Sequence, residues 1–473
     1  MSDQLRANAL STRLKRFVVD LDRKRLFVAY SGGIDSTVLL HALWRLQQHF
    51  ELELVALHAD HQLQETSGEW HLHCQAFCLN LGIPFRARRF TIRDIRSKGV
   101  EAAARSTRYD WFLAQTGGAT LVTGHNQDDQ AETVLFRLVR GSGVDGLAAI
   151  APVSELGGSL IVRPLLGESR ADITAYAKYY HLVFVKDDTN CDVSIDRNYI
   201  RHRILPLFRT RWPAAEKTIA RTADHLQNQR ILRTKNARAD LQACHSDSTA
   251  CILGDFGRLR LDQLIGLGAV GMAGVLRYWV RKHGMEVPNT RRLMELIHQI
   301  SSGGRSRRSA MRWRDGEIRS YRLHLYLIPV QPHPCFRGSL AWSAGKPIDI
   351  SEAGIRLRPV RKQGRGLRIS VPGEAGLTLD WRAKAEMIQP VGSAHRRSVK
   401  KLFQQAGIPP WERIRMPKLY LGEKLVCIPG LVVDREFAAQ GLDMGIEILI
   451  DPLIAPSSDP NHEIAVVQRC GVW

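Results

Sequence analysis

The feature that most limits how this chain can fold is a glycine-containing segment, 31–37, which lies between an apolar run and an amphipathic stretch. The apolar run 26–30 has the length of a buried strand, and 37–46 carries apolar residues at helical spacing. A strand that turns tightly into a helix is the first half of a βαβ unit. We therefore expect the chain to begin with an α/β domain.

The same alternation continues as far as residue 125. Further strands are predicted at 52–59, 83–90 and 119–125, with helices at 68–82 and 100–117. Alternation at this spacing predicts a doubly wound parallel sheet, and such sheets bind ligands at the carboxyl ends of their strands. The loops after Tyr30, Ala59 and Thr123 are therefore the expected ligand-binding edge.

The rest of the chain has a different organisation. A long helical region is expected at about 212–300, a Pro- and Gly-interrupted stretch follows, and short strands come after it. These patterns predict a helical middle domain and a small α+β C-terminal domain. The expected divisions are a catalytic domain at 1–210, a helical domain at 211–335, a linker at 336–354, a C-terminal domain at 355–445 and a tail at 446–473.

The charge is distributed unevenly between the two parts. The chain carries a net charge of +20, of which residues 1–210 hold +3 and residues 211–473 hold +17. Such asymmetry predicts a polyanionic partner, a nucleic acid, bound mainly by the second part. Three basic clusters lie there: Arg305, Arg307, Arg308, Arg312, Arg314, Arg319 and Arg322; Arg356, Arg358, Arg361, Lys362, Arg365 and Arg368; His395, Arg396, Arg397, Lys400 and Lys401.

Other classes of protein are disfavoured by composition. The chain lacks an apolar stretch of about 20 residues, the length of a membrane helix, and its first residues lack a signal-peptide core. The eight cysteines form no CxxC pair, which disfavours zinc ribbons and iron–sulfur sites. We expect a cytoplasmic protein with reduced thiols and no membrane association.

The segment 31–37 has the composition of a phosphate-binding loop. Its glycines allow close backbone approach, and its hydroxyls and the first N–H groups of the helix can bind phosphate oxygens. It lacks the lysine that ends a Walker A loop. Asp35 would place a carboxylate beside a phosphate, an arrangement that requires a bridging divalent cation.

A second polar loop follows the fourth predicted strand. His125, Asp128 and Asp129 stand at the start of a helix, where they could bind a metal, orient an amine or accept a proton. The preceding helix carries Arg105 and Arg108 on one face, and surface ion pairs remain an alternative for these two arginines.

These motifs resemble those of a known family. SGGIDS at 31–36 is similar to the pyrophosphate loop of the PP-loop ATP-pyrophosphatases. Together with GHNQDDQAET at 124–133, RNYIR at 197–201 and KKLF followed by PPWER near 400–413, it resembles the tRNA(Ile)-lysidine synthases. The resemblance covers the catalytic domain and about 355–435. Asn126 departs from the pattern, because many relatives have a second histidine there.

The resemblance implies a fold and a reaction. It implies a PP-loop, Rossmann-like catalytic domain and a ligase that uses ATP and Mg²⁺. ATP adenylates the C2 carbonyl oxygen of the wobble cytidine in an isoleucine tRNA with a CAU anticodon, and pyrophosphate leaves. The ε-amine of L-lysine then displaces AMP to give lysidine. By resemblance alone, a homodimer is the expected oligomeric state.

The resemblance also implies roles for individual residues. Asp129 and Arg105 would bind the ammonium and carboxylate of lysine, and His125 and Asp128 would orient the base or a metal. Asp35 would bind Mg²⁺, and either Asp128 or Asp129 would accept the proton of the amine. The ATP cradle would comprise Ser31, Gly32, Gly33, Ile34, Asp35 and Ser36.

Three alternative functions remain at this point. A tRNA thiolase would need paired catalytic cysteines, and Cys74 and Cys78 are interpreted as core residues. An amide-forming synthetase with a small substrate would leave the basic half unexplained. A non-catalytic RNA-binding protein would have no need for intact Asp35, His125, Asp128 and Asp129.

Overall fold

The chain forms two compact units whose boundary lies between Arg233 and Thr234. The boundary falls within one long helix, Ala215–Cys244. The computed structural model describes residues 2–21, 24–60, 67–90, 100–186, 191–245, 257–302, 310–330, 338–342, 345–368, 376–381 and 386–453.

The first unit is built on a six-stranded sheet with the order β3-β2-β1-β4-β6-β5. Its strands are β1 (Arg25–Ala29), β2 (Glu53–Asp60), β3 (Phe85–Arg89), β4 (Thr120–Val122), β5 (Val153–Leu156) and β6 (Ser159–Val162). All neighbouring pairs are parallel except β5 with β6. The predicted doubly wound sheet is therefore confirmed. Its direction of winding reverses between β1 and β4, where such sheets bind ligands.

Both faces of the sheet are covered at its centre, which is why the central strands β1, β4 and β6 are largely apolar. Val28 belongs to the core on one face, and its neighbour Phe27 belongs to the core on the other. Leu10, on an N-terminal helix that the sequence pattern did not predict, packs into the same core as Val28. The α-helices of this unit are Asp3–Val19, Ile34–Phe50, Ser67–Asn80, Val100–Thr116, Gln127–Val139, Val144–Leu147, Arg170–Tyr179, Asp196–Tyr199 and Leu205–Arg211, and a π-helix, Ile200–Ile204, joins the last two.

The second unit begins with helices, as expected, and also contains an antiparallel sheet. Its helices Leu261–Gly266, Gly268–Lys282 and Thr290–Ser302 share a core around the buried Trp279 with that sheet. The sheet has the order β7-β10-β9-β8. Its strands are β7 (Arg258–Arg260), β8 (Ala310–Arg312), β9 (Gly316–Tyr321) and β10 (His324–Pro329).

The C-terminal part of the second unit consists of three sheets and two short helices, Val399–Gln405 and Pro410–Arg413. One sheet contains β11 (Ser339–Ala341), β15 (Leu377–Asp380), β18 (Lys418–Leu421), β19 (Lys424–Ile428) and β20 (Val432–Val433). A second contains β12 (Ile348–Ile350), β13 (Ile355–Gln363), β14 (Leu367–Arg368) and β21 (Met444–Pro452), and a third pairs β16 (Met387–Ile388) with β17 (Arg397–Ser398).

Two expected boundaries differ from the structure. The stretch 336–354, expected as a linker, contributes β11 and β12. The stretch from 446, expected as a tail, continues β21, which pairs with β13 along its whole length. The reason is that Ile350 and Ile448 pack into the C-terminal core, and only the pairing of distant segments reveals this burial.

No helix among the described residues is both long enough and apolar enough to span a membrane.

Replacing Ile448 by alanine tests whether β21 belongs to the core. Ile448 is 4% exposed, so Ile448→Ala should lower the free energy of unfolding by about 2–5 kcal/mol. Leu442→Ala is the matched control, because Leu442 is 86% exposed and should tolerate the change. Urea unfolding followed by tryptophan fluorescence measures both variants. Equal stability of the two would show that this segment is a tail.

Candidate active site

The loop after β1 is shaped to receive an anion. Gly32 has a φ of +84°, and Gly33 precedes the helix Ile34–Phe50 without a side chain that could cover its first N–H groups. Ser31 Oγ and Ser36 Oγ lie 3.1 Å apart, and Ser36 Oγ donates to the carbonyl of Gly33 at 3.0 Å. Open N–H groups at a helix start, flanked by two hydroxyls, form a phosphate site. All six predicted cradle residues lie in this loop and the first turn of the helix.

Glycine is required at position 32 for two reasons. Its positive φ disfavours other residues, and a Cβ there would lie 2.7 Å from Cys74 Sγ. Cys74 and Cys78 are fully buried, and burial raises the pKa of each thiol to about 12. These cysteines are core residues, as expected, and not the reactive thiolates that a thiolase would need. The described cysteines are free thiols at positions 74, 78, 191, 244 and 427.

The loop after β4 lies against the loop after β1. A Cβ on Gly124 would approach the backbone of Asp35 and Ser36 to 3.2 Å, so only glycine allows this contact without a shift. Asn126 then begins the helix Gln127–Val139, and its Oδ1 accepts from the N–H groups of Asp128 at 2.9 Å and Asp129 at 3.1 Å. The two predicted polar loops therefore form one site.

Asn126 also connects the two loops directly. Its Nδ2 donates to Asp35 Oδ1 at 3.0 Å. Arg170 Nη1 donates to both oxygens of the same carboxylate, at 2.6 and 2.5 Å. Burial raises the pKa of Asp35, although the charge of Arg170 opposes this shift. The sequence interpretation missed both partners of Asp35. Asn126 was noted only as a departure from a family pattern.

A buried ion-pair network lies beside the contact between Asp35 and Asn126. Asp129 Oδ1 accepts from Arg197 at 3.0 Å and from Arg201 at 3.1 Å. The same arginines also bind the carboxylate of Glu132, with Arg197 Nε at 3.0 Å and Arg201 Nε at 2.5 Å from its oxygens. The side chain of Glu132 is 0% exposed. Glu132 was also missed. The sequence could have identified Glu132, because it follows Asp129 by three residues and therefore lies on the same face of the helix.

Asp128 and His125 have separate environments. Asp128 accepts from Arg209 Nη2 at 3.0 Å, and burial raises the pKa of Asp128 against the opposing charge of Arg209. His125 Nδ1 lies 2.8 Å from Thr123 Oγ1. Burial, opposed by the charge of Asp129 and assisted by the charges of Arg163 and Arg105, lowers the pKa of His125 to about 3, so its imidazole is neutral near pH 7.

Arg105 itself lies on the helix Val100–Thr116, with its guanidinium 5.3 Å from the ring centre of Tyr109. Its side chain is exposed. Its charge contributes to the lowered pKa of His125.

A magnesium ion at this site would have one protein carboxylate. Within the described ranges, no group of three or more His, Cys, Asp or Glu side chains could hold a metal ion. Mg²⁺ in phosphate-transfer sites binds one or two carboxylates and completes its shell with phosphates and water. Asp35, beside an open phosphate-binding helix start, fits this requirement.

Part of the predicted basic surface, chiefly the second cluster, is already neutralised. In the second cluster, ion pairs join Arg356 to Asp349 at 2.5 Å and Arg358 to Asp451 at 2.8 Å. Lys362 pairs with Glu447, and Arg368 pairs with Asp443. In the third cluster, Lys400 and Lys401 are exposed. Arg305, Arg307 and Arg308 of the first cluster lie outside the described residues.

The PPWER segment packs inside the second unit. Trp411 meets the rings of Tyr321 and Tyr326 edge-on, with ring centres 6.0 and 5.5 Å apart, and Arg319 lies over its ring. Arg413 Nη2 donates to Tyr321 Oη at 3.0 Å. This motif therefore joins the C-terminal part of the unit to the β9–β10 hairpin.

Comparison with known proteins gives matches along most of the chain. Residues 7–208 match the PP-loop domain model, residues 259–326 the TilS substrate binding domain model, and residues 377–450 the TilS substrate C-terminal domain model.

Several curated relatives match this chain over nearly its full length. The tRNA(Ile)-lysidine synthase of Coxiella burnetii is 34% identical over 93% of this chain and 96% of that protein. That of Legionella pneumophila (strain Lens) is 35% identical over 90% and 94%, and that of Edwardsiella ictaluri is 35% identical over 89% and 94%. With this identity over nearly the whole of each protein, the chain belongs to the tRNA(Ile)-lysidine synthase family.

Proposed function

We propose that this protein joins L-lysine to carbon 2 of the wobble cytidine in an isoleucine tRNA with a CAU anticodon, using ATP and Mg²⁺. One contact carries the proposal: Asn126 Nδ2 donates to Asp35 Oδ1 at 3.0 Å. It places the acidic second loop against the phosphate-binding loop, where an activated base and an amine must meet. The names of the full-length relatives supply the substrate class.

The loop after β1 would bind the phosphates of ATP. The open N–H groups that follow Gly33 and the hydroxyls of Ser31 and Ser36 can all donate to phosphate oxygens. Asp35 would hold Mg²⁺, which neutralises negative charge as pyrophosphate leaves. Arg170 now binds both oxygens of Asp35, so it must release them when the cation binds.

Asp129 and Arg105 would bind lysine by its ammonium and carboxylate groups. Asp129 is held in place by Arg197 and Arg201, and by the backbone N–H of Asn126 at 3.0 Å. Arg105 is exposed and its charge acts on His125, so its guanidinium is accessible to a small anion. A carboxylate and a guanidinium at one site suit a zwitterionic amino acid.

Asp128 is the better of the two candidates for proton acceptor. The attacking amine must lose a proton, and an acceptor works best when its pKa lies close to the working pH. Burial raises the pKa of Asp128. His125, neutral at this pH, can orient the base by a hydrogen bond without adding charge.

The remaining assignments complete the proposal. The surfaces of 211–335 and 355–445 would bind the body of the tRNA, through phosphate contacts that fix register. The reaction would take place in the cytoplasm. A homodimer stays a prediction.

Incorporation of labelled lysine into a CAU isoleucine tRNA transcript tests the function. The wild-type protein should incorporate lysine with ATP and Mg²⁺, and a transcript with U at the wobble position should not accept it. Asp35→Ala should reduce the rate at least about a hundredfold, the order of loss when a group that stabilises developing charge is removed. Asp110→Ala, an exposed aspartate of the same unit, is the matched control. ATP turnover with a different RNA, and no lysine incorporation, would contradict the proposal.

Calorimetric titration with Mg²⁺ alone tests the position of the cation. Arg170→Ala should bind Mg²⁺ roughly two- to fivefold more tightly than the wild type, because a half-exposed ion pair that competes for Asp35 contributes up to about 1 kcal/mol. Arg16→Ala, an exposed arginine on the first helix, should change nothing. An unchanged affinity in Arg170→Ala would show that the cation does not bind at Asp35.

The pH dependence of lysine transfer tests Asp128. Only the ionised carboxylate accepts a proton, so the rate should fall as pH drops through the raised pKa of Asp128. Arg209→Gln removes a charge that lowers this pKa, and should therefore move the acid limb to higher pH. Asp128→Asn should abolish the limb together with most of the activity. A limb that stays in place in Arg209→Gln would exclude Asp128 as the acceptor.

A further inference from the structure

The helical segment 196–211 has one face turned toward the site. Arg197, Arg201, Leu205 and Arg209 follow one another at intervals of four residues, so they lie along one side of the helix. The three arginines bind Asp129, Glu132 and Asp128. Leu205 is buried against Ala131. We call this row the inner stripe.

A second row lies two residues away, on the other side of the helix. Tyr199, Arg203, Leu207 and Arg211 also recur every four residues, and all of them are exposed. Tyr199 is 48% exposed and Leu207 is 66% exposed, so a ring and an aliphatic side chain alternate at the surface with the two arginines. We call this row the outer stripe.

The cations of the outer stripe differ from those of the inner stripe. Among the residues that the structure describes, neither Arg203 nor Arg211 forms an ion pair, whereas every arginine of the inner stripe binds a carboxylate. Two unneutralised guanidiniums that alternate with an aromatic ring and an aliphatic side chain attract a flexible polyanion with flat, stackable groups. Single-stranded RNA has both properties, and an acidic protein surface lacks the second.

We propose that the outer stripe is a docking surface for the unpaired anticodon loop of the tRNA. Tyr199 stacks on a base next to the one that is modified, and Arg203 and Arg211 bind loop phosphates. This inference rests on the proposed function and assigns part of the RNA contact to the near-neutral catalytic unit.

The dimensions of the segment fit this role. An α-helix from Tyr199 to Arg211 would span about 18 Å, and the π-helical stretch Ile200–Ile204 shortens this slightly, so the outer stripe matches roughly four to five stacked nucleotides. A helix with its side chains is about 10 Å across, so one nucleotide can enter the site beside the helix while its neighbours stay on the outer stripe. Recognition of unpaired, splayed bases by stacking is the usual mode for RNA loops.

Binding of an anticodon stem-loop RNA with a CAU loop to the full-length protein tests the surface. Tyr199→Ala should weaken binding about tenfold, and Tyr199→Phe should restore it, because stacking needs the ring and not the hydroxyl. Arg203→Ala should reduce the slope of log affinity against log salt by about 0.7, the value for one phosphate contact to a single strand. A fully paired hairpin of the same stem should bind Tyr199→Ala and wild type equally.

Matched controls come from exposed residues elsewhere in the catalytic unit. Tyr179→Ala and Arg16→Ala should leave stem-loop affinity unchanged. In lysine incorporation, Tyr199→Ala should raise the KM for tRNA while binding of Mg²⁺ and ATP stays at the wild-type level. That split would not arise from a merely destabilised site.

The outcomes separate this inference from the proposed function. If the wild type incorporates lysine and the outer-stripe variants bind the stem-loop as tightly as the wild type, the docking surface is wrong. If the wild type binds the loop with the expected dependence on Tyr199 but incorporates no lysine, the docking surface stands and the proposed function fails. A variant that changes sedimentation and leaves RNA affinity unchanged would assign the stripe to contact between two copies, which also overturns the inference.

Discussion

The fully buried carboxylate of Glu132 is the constraint on which the catalytic unit most depends. Burying an ionised carboxylate costs several kcal/mol unless charged partners satisfy it, and Arg197 and Arg201 do so at intervals of one helical turn. These ion pairs fix the rotation of the segment 196–211 about its own axis. The positions of Asp129 against the same arginines, and of the outer stripe facing solvent, follow from that rotation.

A second constraint comes from Asn126, which performs three tasks with one side chain and one backbone group. It caps the helix Gln127–Val139, binds Asp35 across the sheet edge, and donates its backbone N–H to Asp129. A histidine has no carbonyl oxygen with which to accept from two successive N–H groups. The departure from the family pattern at this position therefore suits the local geometry, and it couples the phosphate-binding loop to the acidic loop.

The sequence predicts features that depend on local pattern and misses those that depend on distant pairing. The strand and helix alternation, the glycine loop and the meeting of two loops at the sheet edge follow from periodicity and the winding rule. Arg170 is 135 residues from Asp35, and no local signal joins them. For the same reason the sequence predicts a tail from residue 446, where most of strand β21 lies. The partner of this strand, β13, is far back in the chain.

The net charge of each part indicates where a polyanion binds less precisely than the pairing of individual charges does. The second part of the chain carries +17, yet several of its cations already hold acidic partners, such as Arg356 with Asp349. The near-neutral part contains Arg203 and Arg211 without acidic partners among its described residues, next to an exposed aromatic ring. Excess charge accelerates the approach of a polyanion over distance, whereas unpaired cations beside a stacking surface fix the position of the strand once it is bound. A modest net charge in the catalytic unit is therefore compatible with its making the contacts that position the anticodon loop.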